Sequence, residues 1–80
     1  MTATGAEKLV HMANQIGGFF DTQRDGAAAD KIANHMRRYW EPRMRSAIIA
    51  FHKSGGAGLT PSAAEAVSQL AASEAKAGGA

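Results

Sequence analysis

The sequence predicts an all-α fold: a small bundle of three to four short helices, with a proline break between helices two and three. Three observations carry this. Large apolar residues recur at spacings of three and four, the signature of one helical face. No window alternates apolar and polar residues long enough to argue for a strand. Apart from Gly17-Gly18, glycines and prolines fall between the periodic segments rather than inside them. Eighty residues make one domain at most. Residues 7–71 are expected to form it, with 1–6 a disordered N-terminus and 72–80 a frayed tail of Ala, Ser, Gly, Lys and Glu.

Helix one is expected from about Glu7 to Phe20, where Leu9, Met12, Ala13, Ile16, Phe19 and Phe20 share a face. Gly17-Gly18 costs about 1 kcal/mol per glycine against alanine. Either another backbone approaches there, or the helix ends early. A polar connection, Asp21 to Gly26, leads to helix two, expected from about Ala27 to Trp40 with Asp25 or Gly26 as its cap. Its inner face is Ala28 or Ala29, Ile32, Ala33, Met36, Tyr39 and Trp40. Pro42 lacks a backbone donor and disfavours helical geometry at Glu41. This reads as a sharp break with Pro42 opening helix three; a kinked continuous helix is the alternative. Helix three carries Met44, Ala47, Ile48 and Phe51 inward and ends at Gly55-Gly56, because glycine tolerates a left-handed cap. Thr60 as N-cap and Pro61 at the first position open a short fourth helix, with Val67, Leu70 and Ala71 on its inner face.

Composition narrows the function. Of the apolar residues 18 are alanine, and only 17 large ones follow Met1. So thin a core predicts marginal stability, and chains of this size are often completed by a disulfide, a metal or a partner. There is no cysteine, which removes disulfides and thiolate-held metals or clusters together. No apolar run reaches the ~18 residues of a membrane helix, and no signal peptide is evident, so a cytoplasmic location is expected. The net charge is +2 but unevenly spread. Residues 31–53 hold six Lys or Arg against the single Glu41, a local +5; the remainder is −3. A concentrated basic segment fits an anionic or carboxylate-bearing partner.

No catalytic pattern emerges. His11, His35 and His52 match no zinc spacing, and HExxH is absent. Asp21, Asp25 and Asp30 lack the dense ligands and closing glutamate of a calcium loop; a solvated turn with a helix cap is the plainer reading. Gly55-Gly56-Ala57-Gly58 follows a helix and lacks the lysine and hydroxyl of a phosphate cradle. The informative stretch is Met36-Arg37-Arg38-Tyr39-Trp40-Glu41-Pro42-Arg43-Met44-Arg45. Arginine forks bind carboxylates bidentately and stack on aromatics, and Trp, Tyr, Arg and Met are the types enriched in protein interfaces. The plainer reading makes the apolar members core and leaves the arginines solvated. Single-strand nucleic-acid binding is a rival, but the whole chain is only +2 and its basic residues lie on several helical faces.

Two strings carry a family resemblance. Leu9-Val10-His11-Met12-Ala13-Asn14-Gln15-Ile16-Gly17-Gly18-Phe19-Phe20 resembles the opening of the delta subunit of NAD-dependent formate dehydrogenase. Ile32-Ala33-Asn34-His35-Met36 through Arg45, with its W-x-P-R-M-R pattern, is similar to that family's most characteristic segment. Gly55 to Pro61 and the helix after it are similar to its ending, so the resemblance spans about residues 8 to 71. Tyr39 departs mildly, since phenylalanine is as much expected there; Asp21 to Ala29 and the tail after Ala71 have no strong match.

The resemblance implies a non-catalytic accessory subunit of a bacterial, cytoplasmic enzyme that oxidises formate and passes electrons through iron–sulfur clusters and FMN to NAD. The formate site and the molybdenum or tungsten pterin belong to the large alpha subunit, so no cofactor is expected on this chain. Its implied partner is that alpha subunit, which it would stabilise or help assemble. Arg37, Arg38, Arg43 and Arg45 are expected to meet acidic or carbonyl groups of the partner, and Trp40 and Pro42 to fix the bend presenting them. Asn14 and Gln15 are expected to satisfy backbone groups of the partner or of helix two. Two other functions stay open: a free-standing helical adaptor or homodimer, and a nucleic-acid binder.

Overall fold

A computed structural model describes residues 5–23 and 26–78, with side chains as far as Glu74. Four helices follow one another: α1 (Gly5–Asp21), α2 (Ala28–Tyr39), α3 (Pro42–Lys53) and α4 (Pro61–Gly78). Among the described residues there is no strand. Residues 1–4, most of the expected N-terminal segment, lie outside the described residues, as do the last two residues of the expected tail, 79 and 80, and residues 24 and 25, the latter the candidate cap Asp25. Ala27 is the N-cap of α2 and makes no side-chain cap bond. Helix α4 runs on to Gly78, into the segment from Ala72 whose composition suggests fraying. Alanine is the best helix former, and Ser73 and Glu74 are tied to other helices.

The core is apolar throughout: Leu9 and Ala13 from α1, Ile32, Ala33 and Met36 from α2, Trp40, Ile48 from α3, and Ala63, Ala66, Val67 and Leu70 from α4. Each large side chain enclosed in this way contributes about 1.5–3 kcal/mol. The fully buried alanines at 13, 33, 63 and 66 let helix axes come close, and α2 against α4 is the most extensive contact.

Two helix ends follow directly from residue chemistry. Helix α3 closes in a Schellman arrangement, in which the Gly55 N–H donates to the His52 carbonyl and the Gly56 N–H to the Phe51 carbonyl, both at 3.1 Å. Gly55 has φ 133°, which a side chain would strain. Helix α4 starts at Pro61, and the Thr60 hydroxyl accepts from the Ala63 N–H at 3.4 Å.

The paired glycines of α1 have different explanations. Gly17 is buried, and a Cβ there would meet Ser62 Oγ at 3.4 Å and Ile32 Cδ1 at 3.5 Å, so the helix stays intact because α2 and the start of α4 close over it. Nothing lies within 4 Å of a Cβ built on Gly18, and no contact in the structure explains that glycine. Gly18→Ala is therefore expected to stabilise the chain by about 1 kcal/mol, read as a raised urea midpoint with unchanged slope.

Phe19 departs from expectation. Expected on the inner face, it is 64% exposed and meets Phe20 edge-on, with centroids 5.2 Å apart. The line Leu9, Ala13, Gly17 fills the inner face of α1, which rotates Phe19 to its margin. Ala47, expected inside α3, is likewise exposed.

Candidate interaction surface

The α2–α3 elbow is a break, not a kink. Trp40 (φ −90°, ψ 136°) and Glu41 (φ −66°, ψ 154°) are both extended, as a residue before proline prefers to be. The Trp40 N–H still donates to the Met36 carbonyl at 2.9 Å, and the Arg45 N–H opens α3 by donating to the Glu41 carbonyl at 3.0 Å. Ile32, Met36 and Trp40, four residues apart, continue one buried stripe. Trp40, expected on the inner face and at the bend, is only 5% exposed and anchors the bend from within instead of lying on the surface with the arginines. Its neighbour Tyr39, expected inside, is 68% exposed and packs on His35 with centroids 4.8 Å apart.

The four arginines separate into two kinds. Arg45 is a clamp within the chain. Its Nε donates to Glu74 Oε2 at 2.6 Å, and its Nη1 to the Trp40 carbonyl at 2.6 Å and the Arg37 carbonyl at 3.5 Å. The guanidinium thus satisfies two carbonyls left over at the end of α2 and places positive charge where the helix dipole favours it, while the ion pair ties α3 to α4. Arg45, expected to meet a partner, turns its Nε and Nη1 into its own chain, with Glu74 supplied by the extended α4. Arg37 is exposed, donating to Ser73 Oγ and Asn34 Oδ1, both at 3.2 Å. Arg38 and Arg43 are exposed and make no side-chain bond to any described residue. Pro42 is exposed at the first position of α3.

Asn14 and Gln15 also part company. Asn14 Nδ2 donates to the Gly58 carbonyl at 2.8 Å, and its Oδ1 accepts from the Thr60 N–H at 3.0 Å. It serves the α3–α4 loop of its own chain. Gln15 is exposed on α1. Asn14→Ala is expected to cost about 1–3 kcal/mol by stranding a part-buried donor and an acceptor; faster amide exchange confined to residues 56–60 would be its local mark.

Sequence reasoning missed two openings, since their walls come from distant parts of the chain. A groove of about 460 Å³ between α1 and α3 is walled by Lys8, Leu9, Met12, Arg43, Met44 and Ala47. A second, beside α2, is walled by Phe20, Lys31, Asn34, His35, Arg38 and Tyr39. Neither has a carboxylate in its wall. Lys31 is engaged with Gln23 Oε1 at 2.7 Å. Among the described residues, no group of three His, Cys, Asp or Glu is placed to hold a metal ion, and no helix is long and apolar enough to cross a membrane.

Compared with known proteins, residues 8–67 match the family model of the NADH-dependent formate dehydrogenase delta subunit, FdsD. No curated protein and no solved structure matches the chain.

Proposed function

The chain belongs to the NADH-dependent formate dehydrogenase delta subunit family, and from that premise we propose that it is a non-catalytic accessory subunit that binds and stabilises the large catalytic subunit or aids its assembly. The family match over three-quarters of the chain carries the reading. The surface supports it: Arg37, Arg38 and Arg43 are exposed around one elbow, and Tyr39 and Phe19 are large aromatic surfaces open to solvent. Exposed arginine and aromatic side chains are the groups that protein interfaces favour. The alpha subunit is the proposed partner, and the cytoplasm the proposed location.

The chain's own chemistry fits a role without cofactors. It has no cysteine to hold an iron–sulfur cluster, and every described buried side chain is apolar. Following the family reading, we assign the molybdenum or tungsten pterin, the clusters, FMN and NAD to the other subunits. A partner that binds only the folded chain raises its stability by mass action, which suits a small domain with a thin core.

The test is affinity purification of the tagged chain from its native host. The pterin-bearing subunit is expected to co-purify, and deleting the chain is expected to shorten the working life of the assembled dehydrogenase. A stable, monodisperse oligomer that retains no dehydrogenase subunit would instead support the free-standing adaptor. Retention of nucleic acid that collapses as salt rises would support the third reading.

A further inference from the structure

We infer that the α1/α3 groove is the seat of an amphipathic helix, carboxylates flanking its apolar anchors, that belongs to another subunit of the complex; this rests on the reading that the chain docks within a formate dehydrogenase. The floor of the groove is Leu9, Met12 and Met44, and its two charged wall residues, Lys8 and Arg43, are both cations. Arg43 is exposed and bonds to no described residue, so its charge is available to an incoming group. Methionine is unbranched and adjusts its shape to what it covers, which suits a surface that must accept a foreign side chain.

The occupant is an extended element and not a single anchor. Met12, Ile16 and Phe20, spaced by four, form a half-buried ridge along α1. The ridge is about 12 Å long at 1.5 Å per residue, or two turns of a facing helix. It ends at the second opening, where Arg38 is again a cation without a described partner and no carboxylate lines the wall. An apolar ridge with cations at both ends is complementary to a helix bearing apolar residues at three- and four-residue spacing and carboxylates at both ends. By contrast, the opening between α3 and α4 contains Lys53 together with Glu74 and shows no such bias.

The assigned contact is tested in the whole complex, co-produced with the tagged chain. A benzophenone amino acid placed at Ala47, exposed in the groove wall, is expected to cross-link under light to a peptide of another subunit with carboxylates flanking apolar residues at helical spacing. The same probe at Ser68, exposed on α4, is expected to give at least tenfold less of that product. The double variant Lys8→Glu with Arg43→Glu is expected to reduce retention of the large subunit at least tenfold. Both changes put acids in the first turn of a helix, where the dipole favours them, so the chain keeps its helical circular dichroism.

A cross-link from Ala47 to a second copy of this chain, to its own N-terminal residues, or to a peptide without carboxylates would overturn the inference. So would undiminished retention by the double variant, with the accessory-subunit reading left standing. If the unaltered chain retains no dehydrogenase subunit, that reading fails first, and the inference with it.

Discussion

Trp40→Ala is expected to bring the isolated chain to the edge of unfolding at room temperature, with a substantial unfolded fraction. Truncating a buried tryptophan costs about 3–5 kcal/mol, part lost transfer energy and part cavity. Domains this small start from the low end of the ordinary range, about 5 kcal/mol. Trp40 is 5% exposed and closes the stripe begun by Ile32 and Met36, so its loss opens the elbow as well as the core. The checks are loss of helical circular dichroism at 25 °C and a large fall in urea midpoint, with Trp40→Phe keeping most of both. Because it is the chain's only tryptophan, its fluorescence reports the same burial. Emission should shift to the red on unfolding, and emission that is identical with and without urea would contradict an enclosed indole.

Arg45→Met is expected to cost about 2–3 kcal/mol, the second largest effect among these substitutions. It keeps most of the aliphatic stem but removes charge-assisted bonds to Glu74 and to carbonyls at the end of α2. The pair is part-buried, with side-chain exposures of 18% and 33%, so it ranks above a fully solvated surface pair. A double-mutant cycle with Glu74→Gln should show a coupling of about 1 kcal/mol. Arg43→Met, on an exposed side chain with no described partner, should change stability by less than about 0.5 kcal/mol. If Arg45 and Arg43 behaved alike, the clamp would not exist.

The contrast between these arginines shows what a sequence can tell a reader. Four helices, the break at Pro42, the glycine stop at residue 55 and the Thr60-Pro61 start were all legible, because each is decided by residues within a turn of one another. Which of two adjacent aromatics turns inward was not. Tyr39 and Trp40 both fit the apolar spacing, and the choice falls to Trp40 only because the chain straightens there and its side chain continues the Ile32–Met36 line. The division of the arginines was equally hidden. Arg45 is distinguished from Arg43 by a carboxylate 29 residues further on, in a segment whose composition suggested fraying.

Asn14 repeats the lesson, since its partners lie 44 and 46 residues away. The cationic groove joins Lys8 to Arg43, which no local pattern links. The family resemblance was legible because it rests on contiguous strings, whereas the surface on which a partner would sit is assembled from pieces of three helices.

The reach of α4 beyond residue 71 has a practical side. Ser73 and Glu74 are both held by arginines of the elbow. A protease or a stop codon that trimmed the chain just before them would remove none of the described core side chains, yet it would slacken a corner formed some thirty residues upstream. Shortened versions designed by trimming the alanine-rich end should keep Ser73 and Glu74.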